Sequence, residues 1–317
     1  MPTRRRPRTL RVPAYAKINL GLEVLGLRAD GYHELRTLFQ TIDLHDDLTI
    51  APAPQGITLV CDNPALPTDD GNLAVRAARE LLRFARIDTG ISASLAKRIP
   101  VAGGLGGGSS DAAAMLMALD SLFDLKLGIT GLLPVARRLG ADVPFFLYGG
   151  TALGLSRGDE IYPLRRQIKA HVVVVDPQRP ISTAAVFRRV DARLTPRENG
   201  YTIYRFVSSE LDGFDAYRIL ANDLEQAALE EAPDLARSLR RIRGILTSAG
   251  AVFVSLSGSG SSFFGVFDEA AAARRAHANL RSAGFAAHRG RTLSLDQYRR
   301  VWSRSLAVRG AHRGRSR

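Results

Sequence analysis

The 317-residue sequence contains one cysteine, Cys61, so neither an intramolecular disulfide nor a cysteine-based zinc centre can form. A reducing cytoplasm is the expected compartment. No apolar run approaches the roughly eighteen residues needed to cross a bilayer. Lys17, Asn19 and Glu23 follow the first arginines too soon for a signal-peptide core. These absences predict a soluble protein without a membrane partner. Lysine is scarce as well, with Lys17, Lys97, Lys126 and Lys169 standing beside 40 arginines. Where arginine is used so heavily, a retained lysine points to a compact point charge.

What is abundant is positive charge, and its placement decides its meaning. The formal net charge is +13, a surplus that normally raises nucleic acid as a partner. Residues 1–11 hold five arginines and residues 297–317 hold seven, with no acid in either stretch. Those twelve charges leave residues 12–296 at +1. The body has no globally basic face, and nucleic acid is not an expected partner except through the two arginine-rich ends.

Strand-like alternation over Val12–Val24 is followed by strand candidates at Ile42–Ile50, Ile57–Cys61 and Ile91–Ala96, with a helix over Asn72–Ile87. Helices are expected at Ser110–Phe123 and Gly131–Leu139. The second half predicts strands at Val172–Asp176, Val252–Leu256, Phe263–Phe267 and near Ala286–Arg289. Helices are expected near Ser182–Arg193, Ala216–Glu231, Asp234–Ala249 and Glu269–Ala283. Strands and helices mix without regular βαβ alternation, so the expected class is α+β. The domain reading is an arm over 1–11, domains over 12–163 and 164–296, and a tail over 297–317. Residues 195–208 read as a long loop.

The strongest local signal is the run from Pro100 to Asp111, with Gly103, Gly104, Leu105, Gly106, Gly107, Gly108, Ser109 and Ser110, lying between a strand and a helix. Five glycines in six positions allow close backbone approach to a ligand, and the following helix start suits a phosphate. Ser109 or Ser110 can cap that helix or turn a hydroxyl to a phosphate or metal ion. No lysine follows as a P-loop requires, and Ser109 occupies the place of the third glycine of a dinucleotide fingerprint.

This loop resembles the central motif of the GHMP kinases. Three further stretches, Ala16-Lys17-Ile18-Asn19-Leu20, Arg28-Ala29-Asp30-Gly31-Tyr32-His33 and Leu139-Gly140-Ala141-Asp142-Val143-Pro144-Phe145, look like the 4-diphosphocytidyl-2-C-methyl-D-erythritol kinases within that superfamily. Asn222-Asp223-Leu224-Glu225 and the Ser257–Ser262 loop fit the same pattern. The resemblance runs from Ala14 to about residue 290. Ala102 departs from it, standing where many members carry another glycine.

The resemblance implies a two-domain α+β fold with the active site in the cleft, and ATP-dependent phosphorylation of a 2-hydroxyl on a substrate carrying a cytidine diphosphate group. Asp142 would be the base or orienting group and Lys17 its charge-stabilising companion; alone, an Asp there is more often a turn or cap residue. An extended backbone is expected before Pro144. Asn72, Leu73 and Lys97 would lie near the nucleotide, together with the glycine loop. Tyr32 and His33 would hold the cytosine with Phe187, while Asn19 and Thr183 contact substrate. ATP with Mg²⁺ is the implied cofactor, Ser110 being the candidate protein ligand. The alternatives are another GHMP kinase acting on homoserine, mevalonate or a sugar, and a nucleic-acid-binding protein using the arginine ends.

Overall fold

A computed structural model describes residues 9–191, 203 and 220–306. The chain opens with two long strands, β1 (Leu10–Leu27) and β2 (His33–Ala53), paired antiparallel along almost their whole length. Register shifts at Tyr15/Lys17, Asn19/Gly21 and Val24/Gly26 bend the pair. Next come β3 (Ile57–Cys61), α1 (Leu73–Ala85), β4 (Gly90–Ala96), α2 (Gly107–Leu122), α3 (Gly128–Leu139), α4 (Val143–Tyr148), β5 (Thr151–Leu155) and β6 (Glu160–Pro163). The first sheet runs β3-β4-β2-β5-β6, with β1 on β2. Its core gathers Val12, Leu48, Leu81, Met115, Phe145 and Phe146 between the sheet and the helices.

The remaining elements are β7 (His171–Asp176), α5 (Thr183–Asp191), α6 (Leu224–Glu231), α7 (Pro233–Ser248), β8 (Phe253–Leu256), β9 (Phe263–Phe267), α8 (Ala270–Ser282), β10 (Ala286–Arg291) and α9 (Leu295–Leu306). The second sheet runs β10-β7-β9-β8. Strand β1 ties the two halves together because its apolar residues serve three clusters in turn. Val12 and Ala14 face the first core, Ile18 and Leu20 pack with Val172 and Phe264, and Leu22 and Val24 reach the second core with Val186 and Leu239. Both sheets with their helices give the α+β class.

Several expectations change. The strand candidate at Ile42–Ile50 is the far half of the 21-residue β2, whose start carries His33. Helix α2 begins at Gly107 rather than at Ser110, with Gly106 at its N-cap and no side-chain capping bond, so neither serine caps it. Pro144 does not hold its neighbour extended. Asp142 (φ −81°, ψ −17°) precedes a helical Val143, and Pro144 sits in the first turn of α4, where its missing N–H costs no hydrogen bond.

Leu10 and Arg11, read as the end of an arm, lie within β1, and Leu10 is buried. Residues 297–306, read as the start of a basic tail, belong to α9. Tyr298 and Trp302 bury themselves in the first core, and the Tyr298 hydroxyl donates to the carbonyl of Phe146. The sign of the charge concealed an apolar i, i+4 face. The loop expected at 195–208 lies outside the described residues apart from Ile203, as does the first part of the helix expected at Ala216–Glu231.

Candidate active site

The glycine loop is the wall between two cavities. On one side, a cavity of about 340 Å³ is lined by Asn72, Leu73, Lys97, Pro100, the run Gly103–Ser109 and Asp111. On the other, a cavity of about 740 Å³ meets Lys17, Asn19, Tyr32, His33, Asp142, Thr183 and Phe187. Gly104, Gly106 and Ser109 face both. Every expected site residue except Ser110 therefore lines one cavity or the other. Ser110 is 2% exposed; its N–H is bonded to Gly106 O, and the serine that lines the cavities is Ser109.

Two glycines in this loop are required by geometry. Gly104 (φ +74°) lies so close to the second glycine–serine loop that a Cβ would meet Ser257 O at 2.0 Å. Gly106 (φ +71°) would press a Cβ to 2.7 Å from the ring of Phe146. The second loop is bound to the first through Ser257 Oγ donating to Gly104 O (2.9 Å) and Ser262 N donating to Gly103 O (3.1 Å). At the start of α2, the N–H groups of Gly107, Gly108 and Ser109 fall in the first turn, where a helix has no internal acceptors. Departing from glycine, Ala102 holds the left-handed conformation at φ +56°, which costs an L-residue on the order of 1 kcal/mol.

Where the loop meets the larger cavity, Lys17 Nζ lies 3.3 Å from Asp142 Oδ2 and donates to Asn19 Oδ1 at 2.6 Å. Asn19 Nδ2 in turn donates to Thr37 Oγ1 (2.8 Å). Lys17 stands on β1 with its side chain 4% exposed, whereas Asp142, at the head of α4, is 34% exposed. The cation is fixed from behind while the carboxylate remains open to a ligand. Further out, the His33 and Phe187 rings stack with centroids 4.5 Å apart. Thr183 Oγ1 lies 2.7 Å from Ser259 Oγ.

Lys97 stands just past the end of β4, and its side chain is buried. Its Nζ is buried between Asp46 Oδ2 and Asp111 Oδ2, at 2.7 Å from the latter. Asp46 Oδ1 also accepts from the N–H groups of Arg98 (2.5 Å) and Ile99 (2.8 Å). Burial opposes the charge on Lys97, but the two carboxylates outweigh it and raise its pKa. Burial pushes the Asp111 carboxyl up to about 7, with Asp46 adding to the rise and Lys97 opposing it. Asp111 Oδ1 finds no hydrogen-bond partner among the described residues. Sequence reasoning missed both carboxylates. Asp111 directly follows the serines of the loop, and Asp46 lies in an acidic run on β2; only the fold brings them to one lysine.

Among the described residues no group of three or more His, Cys, Asp or Glu side chains could hold a metal ion, and no helix is long and apolar enough to cross a membrane.

Residues 72–150 match the GHMP kinases N terminal domain and residues 214–286 the GHMP kinases C terminal family. The 4-diphosphocytidyl-2-C-methyl-D-erythritol kinase of Chlorobium luteolum is 42% identical over 272 residues, covering 84% of this chain and 92% of its own. That of Solibacter usitatus is 41% identical over 300 residues, covering 93% and 92%. A crystal structure of 4-(cytidine 5'-diphospho)-2C-methyl-D-erythritol kinase superposes with a TM-score of 0.73 at 37% identity, over 89% of this chain and 99% of that one. Homoserine kinase from Cytophaga hutchinsonii shares the fold alone, with a TM-score of 0.74 at 19% identity over 93% and 97%. With two-fifths of its residues shared over most of its length, the chain belongs to the 4-diphosphocytidyl-2-C-methyl-D-erythritol kinases of the GHMP superfamily.

Proposed function

We propose that this chain transfers the γ-phosphoryl group of ATP to the 2-hydroxyl of 4-diphosphocytidyl-2-C-methyl-D-erythritol, in the cytoplasm. The observation that carries the reading is the placement of the Lys17–Asp142 pair where one glycine loop faces two cavities. Phosphoryl transfer between two bound molecules needs such a shared wall.

The smaller cavity takes the nucleotide. Asn72 caps α1 by accepting from Ala74 N, and with Leu73 it borders the base end. The N–H groups at the start of α2 receive phosphate oxygens. Asp142 accepts or orients the proton of the 2-hydroxyl. The oxygen bonds to the γ-phosphorus, the bond to the β,γ-bridging oxygen breaks, and ADP leaves. Lys17 offsets the charge that spreads over the moving phosphoryl oxygens. Asn19 and Thr183 hold the acceptor, while Tyr32, His33 and Phe187 form the aromatic end for cytosine.

The donor set fits magnesium brought in on the nucleotide phosphates, because the cavities offer single oxygens such as Ser109 Oγ and Asp142 rather than an acidic cage. When bound, the ion neutralises charge on the phosphates. Incubating the protein with ATP, magnesium and 4-diphosphocytidyl-2-C-methyl-D-erythritol tests the reading, and absence of substrate-dependent ADP would sink it. Homoserine, mevalonate and sugars lack a base to occupy the aromatic end, so competition by CDP separates this reading from another GHMP kinase.

A further inference from the structure

We propose that Arg157, in the turn between β5 and β6, receives the diphosphate arm of the substrate while bracing the exposed ring of Tyr32. The inference rests on the larger cavity being the substrate site.

The guanidinium of Arg157 lies 4.8 Å from the centroid of the Tyr32 ring, and both residues line that cavity. Tyr32 is 55% exposed and makes no other ring contact among the described residues. Its opposite face is the one left for a base. The His33–Phe187 stack cannot itself admit one, because its 4.5 Å spacing falls short of the roughly 7 Å that two successive ring contacts need. The aromatic end is therefore Arg157 behind Tyr32 on one side and the His33–Phe187 pair on the other.

Arg157 is held for this work. Its Nη2 donates to Asp159 Oδ2 at 2.7 Å, and Asp159 is buried. The arginine side chain is itself only 28% exposed. The turn is fastened to the loop carrying Tyr32, since Leu35 N donates to Ser156 O (2.6 Å) and Arg28 Nη1 donates to Ser156 Oγ (3.1 Å). Arg28 also pairs with Glu34 and Asp30, and Asp30 Oδ1 accepts from Tyr32 N. One bond to Asp159 uses one of five guanidinium N–H donors. The others have no hydrogen-bond partner among the described residues, and Arg157 lines the cavity. A planar fork fixed at one corner suits a phosphate oxygen pair. Lys17 is already engaged by Asp142 and Asn19, and Arg188, the other arginine on the cavity, is exposed at its rim.

The test compares wild type, Arg157→Ala and Arg157→Lys for substrate KM, ATP KM, kcat and inhibition by CDP and cytidine. Arg157→Ala is expected to raise substrate KM and the CDP inhibition constant about five- to tenfold, with kcat and ATP KM within about twofold. Cytidine, lacking phosphates, should weaken less than about twofold. Because Arg157→Ala leaves buried Asp159 unpaired, Arg157→Lys serves as the second variant: it keeps that pairing and should show the same ordering with a smaller loss. The proposal is overturned if both variants bind CDP like wild type, or if cytidine is lost as strongly as CDP. Failure of CDP to inhibit the wild type at all would overturn the reading of the cavity along with it. Loss of CDP binding in His33→Ala and Phe187→Ala, but in neither Arg157 variant, would remove the Arg157 role alone.

Discussion

Lys17 Nζ stands 3.3 Å from Asp142 Oδ2, and the two come from opposite ends of the first domain's sequence. The lysine arrives on a bulged β-strand and the aspartate on the N-cap of a six-residue helix. Asp142→Asn keeps the shape and removes the charge. The expected result is a fall in kcat of about a hundred- to ten-thousand-fold with an unchanged unfolding temperature. Coupled ADP assays and thermal unfolding check it, and near-wild-type turnover would assign the proton to another group.

Lys17→Arg tests whether a compact charge is needed. The lysine stem packs against the loop, with Lys17 Cγ only 3.1 Å from the position a Cβ would take on Gly106. A longer side chain with a planar guanidinium cannot place a single point charge between Asp142 and Asn19 as the ammonium does. Kinase activity should fall by at least about a hundredfold despite the retained charge; activity within tenfold of wild type would show that charge alone suffices.

The buried carboxyl of Asp111 gives a pH dependence with a definite sign. Its pKa is pushed up to about 7 in the folded protein, against about 4 in an unfolded chain. The folded state thus holds a proton that the unfolded state has released. The associated stability is complete below about pH 4 and lost as pH rises through about 7. Asp111→Asn cannot titrate there, so its unfolding temperature should gain on the wild type from pH 4 to 7 and level off above. A constant difference across that range would contradict the assignment.

Gly104 and Gly108 belong to one motif but carry different loads. Gly104→Ala combines a left-handed backbone with a Cβ driven into Ser257 O, and should destabilise by more than about 2 kcal/mol. At Gly108 an added Cβ would meet only Leu73 Cδ1, at 3.6 Å, within a helix. Alanine there should be neutral or stabilising by about 0.5–1 kcal/mol. Denaturant titration of the two variants compares them directly.

The final helix should behave as part of the first core. Trp302→Ala removes a buried indole from the α9 contact, with an expected loss of about 3–5 kcal/mol. Equilibrium unfolding in denaturant measures it, and a loss under 1 kcal/mol would return α9 to the status of an appendage.

Much of this protein could be read from local pattern. The alternation of Ile18, Leu20, Leu22 and Val24 marks a strand wherever it packs. The glycine run marks a tightly packed loop at a helix start because few other residues tolerate the backbone it needs. Counting places twelve arginines at the two ends of the chain, but it does not place the boundary of the folded body, which takes in Leu10, Arg11 and residues 297–306. Asp142, Lys17, Tyr32, His33 and Phe187 were found through motif resemblance, and all five line one cavity.

Tertiary structure decided the rest, because those features depend on which distant segments touch. Lys97 becomes a buried ion only when β2 supplies Asp46 and α2 supplies Asp111, 51 positions before it and 14 after. Arg157 acquires its meaning from a turn that β-pairing lays beside Tyr32. Residues 297–306 look like a basic tail until Tyr298 and Trp302 find a surface to bury against. Local sequence determines which backbone shapes and charges are available; long-range packing sets the distances at which they act.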